Sequence, residues 1–252
     1  MFKLIKYELR STFLTILGIC ITVIVANLLL MTKKGSWDVA VPVLSVCLTI
    51  GAIIVIFISS LKIMSKYLHE DSGYLLFTLP QSGMSIVTSR LITALIQTSI
   101  VVFVSLLMLY LNAPEELDLS FLKDLKASVV LYSIIAYIWS IISSLSFIYF
   151  CMVIGKVALK GKKLGKIGSF IIFIILSVAL SWLSFKIITL FPQTLNLGGS
   201  SIATNFNTPN PDFMIFGGTF NINIAQTIFD IIAFAGFFIT SSYLIDKKLD
   251  LS

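Results

Sequence analysis

Histidine is nearly missing from this chain. His69 is the only one in 252 residues, and cysteine occurs three times. One histidine excludes zinc sites built on histidine pairs, and a Ser-His-Asp triad would have to use His69, which has no nucleophile motif beside it. Cys20, Cys47 and Cys151 all lie inside apolar runs, and an odd count there argues against a disulfide framework. Charge is scarce as well. Asp, Glu, Lys and Arg make up 12% of the residues, about half the ~25% of a soluble domain. A phosphate-binding loop is also lacking. "GKKLGKIG", Gly161 to Gly168, has its glycines one position too close, and Ile167 stands where Ser or Thr would reach magnesium. It reads as a flexible basic loop, so no ATP site is expected in this chain.

What is abundant is apolar surface. Hydrophobic residues reach 58%, against about 45–50% in soluble domains, and the mean hydropathy is +1.03. A helix that crosses a bilayer needs roughly 20 mostly apolar residues. Six stretches qualify: about 12–31, 40–63, 86–111, 127–155, 169–191 and 227–245. They are continuous rather than alternating, so helices are expected and not the strands of a barrel. The fold class is an all-α membrane protein, a six-transmembrane-helix bundle forming a single domain over 1–252. The basic start before the first run resembles a signal peptide. That run is long enough to span, and no small-residue cleavage pattern follows, so it reads as a retained helix.

The loops set the orientation. Of 18 Lys and Arg, thirteen fall in the N-terminus, the 62–90 region, the 155–168 loop and the C-terminal tail. Lys33, Lys34, Lys123 and Lys126 fall in the other set, and Lys186 lies within a span. The positive-inside rule then places both termini in the cytoplasm of a multi-pass protein. The net charge of +6 serves orientation in this reading, with no nucleic-acid partner. In "MFKLIKYELR", Lys3, Lys6 and Arg10 form one helical stripe beside Phe2, Ile5 and Leu9. An amphipathic helix over about 1–10, lying on membrane lipids, is expected. Residues 192–226 form a long external loop without Lys or Arg.

"HEDSGYLLFTLPQSG", His69 to Gly83, is unusual for a connection between spans. Asp71 or Ser72 can cap a helix, and Pro80 forces Leu79 out of helical geometry. About two turns fit between, Gly73 to Leu79, exposing Tyr74, Leu75, Phe77 and Leu79. Ser82 offers a second cap, leading into the third span. An apolar patch at a cytoplasmic surface needs a partner or must fold back on its own bundle.

This stretch resembles the cytoplasmic segment of ABC-2 type permease subunits of Gram-positive bacteria. The matching residues are Glu70, Asp71, Gly73, Tyr74, Phe77, Thr78, Leu79, Pro80 and Ser82, while Ser72 departs from an acidic position of the pattern. The resemblance implies a short coupling helix, carried by Glu70, Asp71, Tyr74, Phe77, Leu79 and Pro80, that docks on a separate ABC ATPase subunit. It implies a second permease subunit, identical or related, and ATP with magnesium on the ATPase alone. It also implies export of an amphiphilic or peptide-like substrate across a bacterial plasma membrane. The alternative is a non-transporting sensor or scaffold that docks another cytoplasmic partner.

No enzyme is expected. Glu115, Glu116 and Asp118 read as a solvated acidic patch. Ser140, Ser143, Ser144 and Ser146 in the fourth span read as small residues that let helices approach. Two charges remain inside spans. Lys186 and Asp230 sit at matching depths near the outer ends of spans five and six, where they can form an intramembrane ion pair or each snorkel separately to the interface.

Overall fold

A backbone amide in hydrocarbon has no water to bond, so each apolar run must satisfy its own N–H and C=O groups as a helix. The computed structural model describes residues 2–33, 40–69, 82–112, 127–158, 165–196, 202–203 and 221–247. Six helices dominate: α1 (Phe2–Met31), α2 (Ala40–His69), α3 (Gly83–Asn112), α4 (Ala127–Ala158), α5 (Gly165–Leu190) and α6 (Ile224–Lys247). All six are long and apolar enough to cross a membrane. Their outward faces are greasy. On α5, Phe170, Ile171, Ile175, Val178, Trp182 and Phe185 are all exposed, as suits a surface solvated by lipid rather than water.

Three departures from the sequence reading stand out. The basic start is not a separate helix, because α1 runs unbroken from Phe2 through the first span. Its first turns are held by packing, with Ile5 and Glu8 buried. The 155–168 loop is shorter than expected. α4 continues to Ala158, and Gly165–Gly168 already form the first turn of α5. Residues 192–226 contain strands: β1 (Thr194–Asn196), β2 (Ile202–Ala203) and β3 (Asn221–Asn223) form an antiparallel sheet in the order β2-β1-β3. Backbone groups that leave a helix end need partners, and here the strand ladder provides them.

Caps fix two entries. The Ser85 amide donates to Ser82 Oγ at 3.4 Å, so Ser82 starts α3 as its sequence position suggested. Asn223 does the same for α6, accepting from the Gln226 amide at 3.0 Å. The Asn223 side-chain amide also donates to the Phe191 carbonyl at 2.8 Å, tying β3 to the end of α5.

The chain divides into two compact units, Met1–Leu119 and Ser120–Ser252, each with three of the helices. In the first, Ile16 and Val23 of α1, Ala52 and Ile56 of α2, and Val101 of α3 form the core. In the second, rings do this work. Phe147 of α4 packs on Phe173 of α5 and on Phe237 of α6, both with centroids 5.4 Å apart. Trp139 meets Phe234 edge to face at 5.2 Å. Gly155 of α4 lies against Ser169 of α5.

Candidate functional site

Hydroxyls in lipid usually bond their own helix. Thr22 donates to the Gly18 carbonyl, Ser60 to Ile56 and Thr98 to Ala94, each one turn back. Against that background, the polar groups of the first unit that reach across helices stand out. Arg90 Nη1 of α3 lies 2.8 Å from Glu8 Oε1 of α1, with both side chains at least nine-tenths buried. The same nitrogen donates to the Ile63 carbonyl of α2 at 3.4 Å, so one guanidinium touches all three helices. Further along, Gln97 Nε2 donates to Thr12 Oγ1 at 2.8 Å. Near the far ends, Asn27 Oδ1 accepts from Asn112 Nδ2 at 2.8 Å and from Ser45 Oγ at 2.6 Å. The α1–α3 offset is nearly constant, 8 to 90, 12 to 97 and 27 to 112, as expected for parallel helices in fixed register. α2 packs against both of them and runs in the opposite direction.

The second unit holds a cavity of about 360 Å³ among α4, α5 and α6. Its α4 wall is Ser140, Ser143, Ser144 and Phe147, with Trp139 alongside. Its α6 wall is Asp230, Ala233, Phe234 and Phe237, with Phe229 alongside. Both walls follow i, i+3, i+4, i+7 spacing, one face of a helix. Leu180 and Ser184 of α5 complete it. Ser140 and Ser144 are exposed and the other lining residues are partly buried, so the serines mark the mouth. A larger groove of about 640 Å³ lies between α1 and α2, but its lining has no charged side chain to orient a polar ligand.

The sequence-predicted sites fare differently. Glu70, Asp71, Tyr74, Phe77, Leu79 and Pro80 lie outside the described residues. Of the two readings of Lys186 and Asp230, the ion pair does not form among the described residues. Lys186 Nζ instead sits 5.8 Å from the ring centroid of Trp182, on its own helix. Matching depth was not enough: Ser184 faces the cavity with Asp230, and Lys186, two residues on, is turned about 200° away. Of the four serines read as packing residues, three line the cavity, and Ser146 is buried outside it. Arg90, read as a loop charge, is buried inside α3.

Glu8 was not singled out at all. Its signal was faint: it is the sole acidic residue before Asp38. Asn27 and Asn112 gave a clearer one, being the only asparagines before residue 196 and both within or at the end of a span.

No class finer than a helical multi-pass membrane protein is defined by these elements. No protein-family model, curated protein or solved structure matches the chain.

Proposed function

We propose that the chain is the transmembrane permease subunit of an ATP-driven exporter of ABC-2 type. In this reading it moves an amphiphilic or peptide-like substrate across a bacterial plasma membrane, with both its termini in the cytoplasm. It works with a separate ABC ATPase, which holds ATP and magnesium, and with a second permease subunit. The observation that carries the reading is the stretch "EDSGYLLFTLPQS" between α2 and α3, which resembles the coupling segment of such permeases.

The geometry of the first unit supports it. A segment that receives motion from an ATPase passes it on only if the helices it joins respond together. Arg90 binds α3 to α1 through Glu8 and to α2 through the Ile63 carbonyl, in the ends of α2 and α3 from which the 70–81 connection leaves. A push on that connection would therefore move three helices as one body. The cavity of the second unit is consistent with a protein that handles a small or amphiphilic ligand.

The test is purification from the native membrane with an assay for ATP hydrolysis. The expected result is a co-purifying P-loop ATPase whose activity is retained on the complex. In Phe77→Ala combined with Leu79→Ala the ATPase should be lost, since one buried aromatic anchor carries ~2 kcal/mol or more of binding. Undiminished ATPase association in that variant overturns the coupling role. A stable cytoplasmic partner without ATP hydrolysis would point to the sensor or scaffold reading.

A further inference from the structure

The geometry points to the cavity of the second unit as a binding site for an organic cation, specifically a primary ammonium carried on an apolar body. Asp230 is the one formally charged group that lines it. Among the described residues, Asp230 has neither an ion-pair nor a hydrogen-bond partner. A carboxylate within a membrane-spanning helix usually faces a partner or a binding path, and here it faces the cavity. Anions are disfavoured by that charge, and a neutral ligand would leave it unmatched.

The remaining walls fit an ammonium group in two further ways. Ser140, Ser144 and Ser184 have no side-chain hydrogen-bond partner among the described residues. Ser143 spends its proton on the Ser140 carbonyl at 3.2 Å, which leaves its lone pairs free. These hydroxyl oxygens can accept the N–H bonds that a carboxylate alone cannot satisfy. The faces and edges of Trp139, Phe147, Phe234 and Phe237 surround the same space, and ring faces attract cations.

The site also has a direction. Asp230 lies six residues into α6, and Ser184 six residues before the end of α5, so each sits about 9 Å from the sheet end of its helix. Phe237 lies two turns deeper. A ligand would place its ammonium at the Asp230 level and its apolar body against Phe147 and Phe237. The volume of about 360 Å³ suits a small ligand or the head of a larger amphiphile.

The experiment uses the full chain purified in dodecyl maltoside, which carries no charge and no amine. Phenethylammonium is titrated with fluorescence of Trp139 as the readout, in a background where Trp37 and Trp182 are phenylalanine. Saturable binding is expected, with 2-phenylethanol, the neutral isostere, at least tenfold weaker. Asp230→Asn should lower phenethylammonium affinity at least tenfold while leaving 2-phenylethanol unchanged. Ser184→Leu, which fills the cavity without touching the carboxylate, should block both and covers the case of an unfolded Asp230→Asn protein. Equal affinity for the two probes, or phenethylammonium binding that survives both substitutions, overturns the site. Added phosphatidylethanolamine separates the sources: competition assigns the ammonium to a lipid headgroup, and no competition to a soluble amine. The assay contains no ATPase, so its failure leaves the permease reading standing, and loss of ATPase coupling leaves this site standing.

Discussion

In the first unit, side chains reach between helices to make specific polar bonds. Arg90 meets Glu8 and Ile63, Gln97 meets Thr12, and Asn27 meets Asn112 and Ser45. In the second unit, ring contacts join α4 to α5 and α6, Ser169 of α5 donates to the Met152 carbonyl of α4, and a cavity lies among them whose carboxylate has no partner among the described residues. Lipid tails are as apolar as leucine, so burying leucine does little to join helices in a bilayer. Two remedies remain, hydrogen bonds and close packing. The first unit uses hydrogen bonds between helices, which fix register because each donor reaches its acceptors only in one alignment. The second also packs large rings between its helices, which leaves room where rings meet imperfectly. A fixed register suits a body that transmits force, and leftover room suits a body that holds a ligand.

The sharpest way to break this contrast is Arg90→Leu. It strands Glu8 as a buried, unpaired charge, and breaking such a pair from one side costs about 3–5 kcal/mol. Thermal unfolding in detergent should show a large loss, and Glu8→Gln added to Arg90→Leu should recover much of it. If the double variant is as unstable as the sum of the singles, the two groups are not coupled.

Gly155→Ala probes the packing strategy. A Cβ there would stand 2.8 Å from the Ser169 Cα, which is backbone and cannot swing aside. α4 and α5 must separate, at about 1–3 kcal/mol, the usual range for overpacking. A stability equal to that of the parent would mean that α4 and α5 do not depend on this contact.

Asn27→Ala should cost about 1–2 kcal/mol, since membrane hydrogen bonds are individually modest. Asn112→Ala on top of it should add less than it costs alone, because the two share the 2.8 Å bond and only the longer one from Asn112 to Ser45, at 3.4 Å, is left to lose. An additive double-mutant cycle would show that the asparagines act separately.

The smallest effect is expected at Asp230→Asn. With no partner to lose among the described residues, it should shift stability by no more than about 0.5 kcal/mol, or raise it. A loss approaching that of Arg90→Leu would mean that Asp230 is a structural group like Glu8, and the contrast between the units would fail.

The site residues show how far sequence reasoning carried. Ser82 was read correctly as a helix entry because a cap is a local device, decided by the next three amides. Lys186 and Asp230 were read at matching depths, yet Lys186 lies over Trp182 on its own helix while Asp230 lines the cavity. Ser140, Ser143 and Ser144 were noticed for their small size, but the same spacing in Asp230, Ala233, Phe234 and Phe237 became meaningful only when the two faces met.

The sequence by itself determined six apolar helices and most of their limits. Hydrophobic length is a local property, and a backbone in lipid has few other ways to satisfy itself. Tertiary structure decided which faces meet: Glu8 with Arg90, Asn27 with Asn112, Asp230 with a cavity rather than with Lys186. In water, an apolar stripe on a helix announces its buried side. In a membrane both sides are apolar, so the sequence records depth but hardly records rotation about the helix axis, and that angle is settled only by contacts between residues some 80 positions apart in the first unit.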